Sequence, residues 1–226
     1  MRVVRKMSIV AVLAVVGLLT AGLGQGVAGA ADASLNVVHG IPGVDVNVCV
    51  NGAEAIPDFN PGETVVGVAL PAGSYDLKIV AVGDTCADSA ILEATGVALA
   101  EGKNYTAVAY LTEDGSPTLG LFRNNVTPVA KGTARLTVRH TAAAPEVDVF
   151  ANGARILTDV PNGASATLRV PSGIYAAWAA LAGGWRPVIG PEVLRLRSGF
   201  AYQVYAWGDG TAGYDFAVIR IPVGVR

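Results

Sequence analysis

From residue 34 onward, apolar residues come in short runs separated by turn-forming residues. Several runs alternate. Val46, Val48 and Val50 share one parity, and Asp45, Asn47 and Cys49 share the other. That period of two is the mark of a strand with one face turned to a core. Val and Thr enrichment favours strand over helix. The runs predict strands near 34–39, 44–51, 64–70, 74–82, 90–98, 103–112 and 117–123. A second set is predicted near 133–140, 146–151, 164–170, 174–181, 190–196, 200–207 and 213–219. Asn51-Gly52 and Asn152-Gly153 read as hairpin turns, since both residue types tolerate positive φ. Pro71-Ala72-Gly73 and Pro171-Ser172-Gly173 read as turns of the Pro-x-Gly kind.

The two sets are copies of one another. His39–Gly52 (HGIPGVDVNVCVNG) aligns without gaps on His140–Gly153 (HTAAAPEVDVFANG). Leu35 and Val37 meet Leu136 and Val138, and Asn47 meets Asp148. Farther on, LPAGSYDLKI meets VPSGIYAAWA and EGKNYTAVAY meets RSGFAYQVYA, with small shifts. The expected fold is all-β: two tandem Ig-like antiparallel β-sandwiches of about seven strands each, a barrel being the alternative. The first repeat is placed at 31–125 and the second at 132–226. A short Pro- and Gly-containing join lies between them.

The first thirty residues have a different pattern. Arg2, Arg5 and Lys6 precede an apolar stretch, and Ala28-Gly29-Ala30 supplies small residues at A-x-A positions. This predicts a signal peptide over 1–30, cleaved after Ala30. The apolar run is too short and glycine-broken for a comfortable membrane span. The remainder, with 13 basic and 18 acidic side chains, has no basic stripe, and nucleic-acid binding is not expected. No further apolar run reaches spanning length, so a released, extracellular product with no stable membrane span is expected.

The motifs VVHGIPGVDVNVCVNG, PAGSYDL and GKNYTAVAY, echoed as VRHTAAAPEVDVFANG, PSGIYAA and SGFAYQVYA, resemble the bacterial secreted domain of unknown function 4397 family, in two copies. The resemblance implies an Ig-like extracellular domain, common in actinobacteria and often associated with the cell surface. It implies no catalytic residues.

Candidate chemistry is sparse. His39 and His140 share the parity of the inward leucines and valines, which predicts structural imidazoles bonded to the loops that follow them. One histidine per repeat lacks the clustering of a zinc site, and no nucleophile elbow accompanies it. Asp45, Asn47, Glu146 and Asp148 fall on the outward parity of their strands. Carboxylate pairs of this kind serve glycoside hydrolysis, but Asn47 breaks the pair in the first copy, and a solvated or loop-bonding role is expected. Cys49 and Cys86 are the two cysteines of the chain, and in an exported protein they are expected to form a structural disulfide. Phe150 stands at the Cys49 position in the second repeat, whose outer face must therefore be covered differently. Tyr175, Trp178, Trp185, Tyr202, Tyr205, Trp207 and Tyr214 crowd the second repeat. They read as core, with Trp178 and Tyr202 inside. Trp185, in the turn AGGWRP, is the best exposed candidate for a ligand contact. No glycine-rich turn has the context of a phosphate loop, and no cofactor or metal is expected. The expected function is a non-enzymatic envelope binding or adhesion module, whose partner is a protein or glycan. A carbohydrate-binding module built on the second-repeat aromatics, or a hydrolase of envelope polymers, is the alternative.

Overall fold

A computed structural model describes residues 31–226; the expected signal peptide lies outside the described residues. Sixteen strands follow in order. The first eight are β1 (Ala33–His39), β2 (Val46–Val50), β3 (Ala53–Phe59), β4 (Thr64–Leu70), β5 (Gly73–Ala81), β6 (Leu92–Leu99), β7 (Asn104–Leu111) and β8 (Pro117–Asn124). The second eight are β9 (Thr133–Ala142), β10 (Val147–Ala151), β11 (Ala154–Val160), β12 (Ser165–Pro171), β13 (Gly173–Leu181), β14 (Ile189–Leu196), β15 (Phe200–Asp209) and β16 (Gly213–Pro222).

They form four sheets of four strands, ordered β3-β2-β5-β6, β4-β1-β7-β8, β12-β9-β15-β16 and β11-β10-β13-β14. The first two sheets pack face to face around Ile41, Val46, Ile56, Phe59, Val65, Ile79 and Leu111. The last two close around Leu136, Val138, Val149, Leu196, Tyr202 and Val204. The fold is thus all-β, two sandwiches in tandem, with no closed barrel.

Two details differ from the sequence reading. Each sandwich has eight strands, because β3 and β11 follow the Asn-Gly turns directly. Their sequences, AEAIPDF and ARILTDV, lie at a sheet edge and are bulged against β2 and β10. Bulging breaks the period of two that marks a strand. The pairing is also not wholly antiparallel: β1 runs parallel to β7, and β9 parallel to β15.

The sandwiches do not sit as separate beads. The face of β4-β1-β7-β8 that points away from its own core packs against the corresponding face of β12-β9-β15-β16. Val38, Val108, Tyr110, Tyr205, Ala217, Ile219 and Ile221 form one buried cluster across this contact, together with Val129 of the join. The chain is therefore a stack of four sheets.

The contact has an approximate two-fold character. Trp207 at the end of β15 lies against Gly62, where an added Cβ would meet its ring at 2.5 Å. Tyr110, the matching residue of β7, places its hydroxyl 3.2 Å from the Cβ position of Gly163. Both glycines have positive φ, 81° and 79°, so turn geometry and close approach each call for glycine. Arg135 ties down the join, donating from Nη1 to the carbonyls of Asn125 and Thr127, each at 2.9 Å.

Candidate binding face

The conspicuous polar residues are occupied with backbone. His39 Nε2 donates to the Val44 carbonyl at 2.8 Å. His140 Nε2 donates to the Pro145 carbonyl at 2.8 Å, with the Ala144 carbonyl at 3.2 Å. Each imidazole thereby holds the loop leading to the next strand, β2 or β10. Burial pushes both histidines below their ordinary 6.5, against the opposing pull of these carbonyls. An unfolded histidine takes up its proton as pH falls through about 6.5, while the buried one stays neutral. Stability is therefore full above that pH and is lost toward the depressed folded value. The slope reaches about 1.4 kcal/mol per pH unit for each histidine. Urea midpoints at pH 7.5 and 5.5 check this: the midpoint is expected to be lower at pH 5.5.

Asn51 and Gly52 have φ of 50° and 79°, and Asn152 and Gly153 have 49° and 82°. These are the left-handed pairs of the β2–β3 and β10–β11 hairpins. Asn51 Oδ1 also accepts from the Asp76 amide at 2.9 Å, and Asn152 Oδ1 from the Ala176 amide at 2.8 Å.

Asp45 and Glu146 are exposed, but Asn47 and Asp148 are buried and not solvated as the alternation implied. Their job is local. Asn47 Oδ1 accepts from the amide of Asp58, and Asp148 Oδ1 from that of Asp159, both at 3.0 Å. Asp58 and Asp159 have φ of 47° and 50°, so each bond holds a strained bulge residue. The second side-chain atom differs with the loop above it. Asn47 Nδ2 donates to the Asp84 carbonyl at 3.5 Å. Asp148 Oδ2 accepts from the Gly183 amide at 2.9 Å and pairs with Arg155 Nε at 3.4 Å. Asp148→Asn must then leave one of two buried amide donors facing an NH2 group. It is expected to reduce stability by about 2 kcal/mol, measured by urea unfolding.

The outer faces of the two sandwiches are built differently. In the first, Cys49 and Cys86 form a disulfide. It ties the β5–β6 loop onto β2, and Lys78 Nζ adds a bond to the Cys86 carbonyl at 3.0 Å. In the second, Phe150 replaces Cys49 and pairs across to Trp178 on β13 and Arg155 on β11. Phe150 and Trp178 stack with centroids 5.0 Å apart and planes 1° off parallel. Trp185, from the β13–β14 loop, folds over Phe150 at 5.0 Å, and the Arg155 guanidinium lies 4.9 Å from the Trp185 ring centroid. An aromatic lid thus does for the second copy what the disulfide does for the first.

Trp178 is therefore on the outer face, not in the core, because its cross-strand partner Phe150 has outward parity. Tyr202 is in the core, its hydroxyl accepting from the Arg197 amide at 2.9 Å. Tyr205 and Trp207 belong to the contact between sandwiches.

Trp185 keeps 63% of its surface exposed, and it does not stand alone. Along β13 the outward residues are Ile174, Ala176 and Trp178. Val193 on β14 lies opposite Ala176, and Arg195 lies opposite Ile174. Ile174 and Val193 are 60% and 62% exposed. The equivalent outward residues of β5 are Ser74, Asp76 and Lys78. One sandwich presents a polar outer sheet and the other an apolar, aromatic one flanked by arginine.

Charge divides the same way. Residues 31–130 hold 3 basic and 12 acidic side chains, net −9, and residues 131–226 hold 10 basic and 6 acidic, net +4. Comparing the copies position by position at outward parity is the signal that finds Arg155, Ile174, Trp178 and Val193.

Among the described residues, no three His, Cys, Asp or Glu side chains are grouped to hold a metal, and no helix is long and apolar enough to cross a membrane. A cavity of about 50 Å³ in the second sandwich is lined only by apolar and aromatic side chains, among them Ala151, Ala177 and Val204. Ala177, at the position that Leu77 holds in the first sandwich, is one of its lining residues, and the cavity offers no polar group to orient a ligand.

The fold and this face define a tandem β-sandwich protein with two unlike outer sheets. The chain belongs to the family described as domain of unknown function (DUF4397), which it matches over residues 33–149. The match spans the whole first sandwich and continues through β9 into β10. No curated protein matches the chain.

Proposed function

We propose that this protein is an exported, non-enzymatic binding or adhesion module of the cell envelope, and that it docks through the outer face of β10, β13 and β14. The observation that carries the reading is the contrast between the two copies. Where the first has Ser74, Asp76 and Lys78 outward, the second has Ile174, Ala176 and Trp178, roofed by the exposed Trp185. Contiguous exposed apolar surface is a liability in water and marks interaction sites. Aromatic and arginine side chains are the usual anchors of such sites. A non-enzymatic role is supported by the use made of Asn47 and Asp148, whose polar atoms are engaged with neighbouring backbone. The disulfide favours an oxidising compartment.

Trp185→Ala tests the reading. Retention on native envelope fractions is expected to fall at least tenfold, in the range of an interface anchor, when measured well below the variant's own urea midpoint, which uncovering Phe150 should lower. Unchanged retention would remove Trp185 from the docking site.

A second reading, a carbohydrate-binding module, is favoured by the exposed indole of Trp185, whose ring could stack on a sugar. It predicts retention of the purified protein on isolated polysaccharides, lost in the same variant.

A further inference from the structure

We infer that the partner of the second sandwich's outer face is the first sandwich's outer face of another copy of this chain, joined head to tail. The inference rests on the reading of that face as a docking surface and names its occupant. The two outer sheets lie at opposite ends of the four-sheet stack, so one molecule cannot join its own ends.

Their chemistry is complementary. At the first end, Glu54 and Lys78 flank Cys49, and Glu93 pairs with Lys78. Asp76 lies two residues along β5. Glu54, Asp76 and Glu93 are exposed, as are Asp84 and Asp88 of the disulfide-tied loop. The single lysine among them directs its ammonium to the Cys86 carbonyl.

At the other end the sign reverses at the equivalent place. Arg155 pairs with Phe150 as Glu54 pairs with Cys49. Arg186 and Arg195 are exposed beside Trp185 and Ile174. Asp148, the carboxylate beneath, is buried and already paired with Arg155. Opposed charge of this kind selects partner and register, and apolar side chains supply the buried centre.

A heterologous contact whose faces point in opposite directions does not close on itself and grows as an open chain. Such a chain would array one module repeatedly, a sound geometry for an adhesion protein.

The test is sedimentation velocity on the exported chain, expressed with its own first thirty residues, over a range of concentrations. At low ionic strength a ladder of species growing with concentration is expected, shrinking toward monomer in about 0.5 M salt. Arg186→Glu with Arg195→Glu should weaken association at least tenfold. So should Glu54→Lys with Glu93→Lys. All four positions are exposed, so both variants should keep the parent's urea midpoint.

Mixing the two variants should restore the ladder. One mutated acidic face then meets one mutated basic face, and the remaining native faces still fit. A wild-type monomer at every concentration, or no recovery on mixing, overturns the inference. Association that survives Glu54→Lys with Glu93→Lys also overturns it, pointing instead to pairing of two second-sandwich faces. A monomer whose envelope or polysaccharide retention still depends on Trp185 overturns self-association and leaves the docking face standing.

Discussion

Arg139→Ala is expected to lower the unfolding free energy by about 3 kcal/mol, measured by urea denaturation. Arg139 lies on β9 between the sandwiches, 3% exposed. It donates to Gln203 Oε1, to the Tyr205 hydroxyl at 3.2 Å and to Asn124 Oδ1 at 3.1 Å. Its guanidinium lies over the rings of Phe122, at 4.7 Å, and Tyr205, at 5.3 Å. A cation is thus held by neutral oxygens and ring faces, with no carboxylate among these contacts. Burial pulls its pKa down from the ordinary arginine value. Truncation would leave the Asn124 and Gln203 oxygens without this donor and would open a void between two sheets. Asn124 and Phe122 belong to the first sandwich, so the loss should uncouple the copies as well as weaken the second. The single transition expected of the wild type should broaden or split. Arg139→Met, which fills the space but donates nothing, should fall between. A change below about 1 kcal/mol on truncation would mean that the contact is not held through Arg139.

Cys49→Ala with Cys86→Ala is expected to cost about 4 kcal/mol, the chain-entropy value for cysteines 37 residues apart. The effect should fall on the first sandwich. Its β5–β6 loop loses its main tether, whereas the matching loop of the second is held by Trp185 on Phe150. Reductant should destabilise the wild type by a similar amount and leave the alanine variant unchanged. Equal urea midpoints with and without reductant would show that the bridge adds nothing.

Much of the architecture was legible in the residues. Alternation around Val46, Val48 and Val50, the Asn-Gly pairs and the repeat led to two β-sandwiches, since these patterns are local and are written twice. The imidazoles were legible because parity with Leu35 and Leu136 places them inward at a strand end. β3 and β11 were not, because bulges held by Asn47 and Asp148 disrupt the spacing by which a strand is recognised. Trp178 was misplaced because a large aromatic is ordinarily core, and only its pairing with Phe150 puts it outside.

The polar face of β9 is the clearest case. Arg135, Thr137, Arg139 and Thr141 alternate with Leu136 and Val138, on the parity opposite the core. All four are buried, because β15 pairs alongside and the first sandwich packs on top. The candidate face shows the converse. Ile174, Val193 and Trp185 are ordinary core residue types, and they are exposed because no sheet covers the outer side of β13 and β14.

The sequence alone determined the class of fold, the repeat, the turns and which residues share a side of each strand, because backbone period and turn chemistry act over a few residues. Tertiary structure decided which sides meet: the joining of the two inner sheets, the substitution of an aromatic lid for a disulfide, and the opposite character of the two ends. Those outcomes depend on contacts between residues far apart in the chain. A period of two distinguishes one face from the other but carries no information about what will cover it.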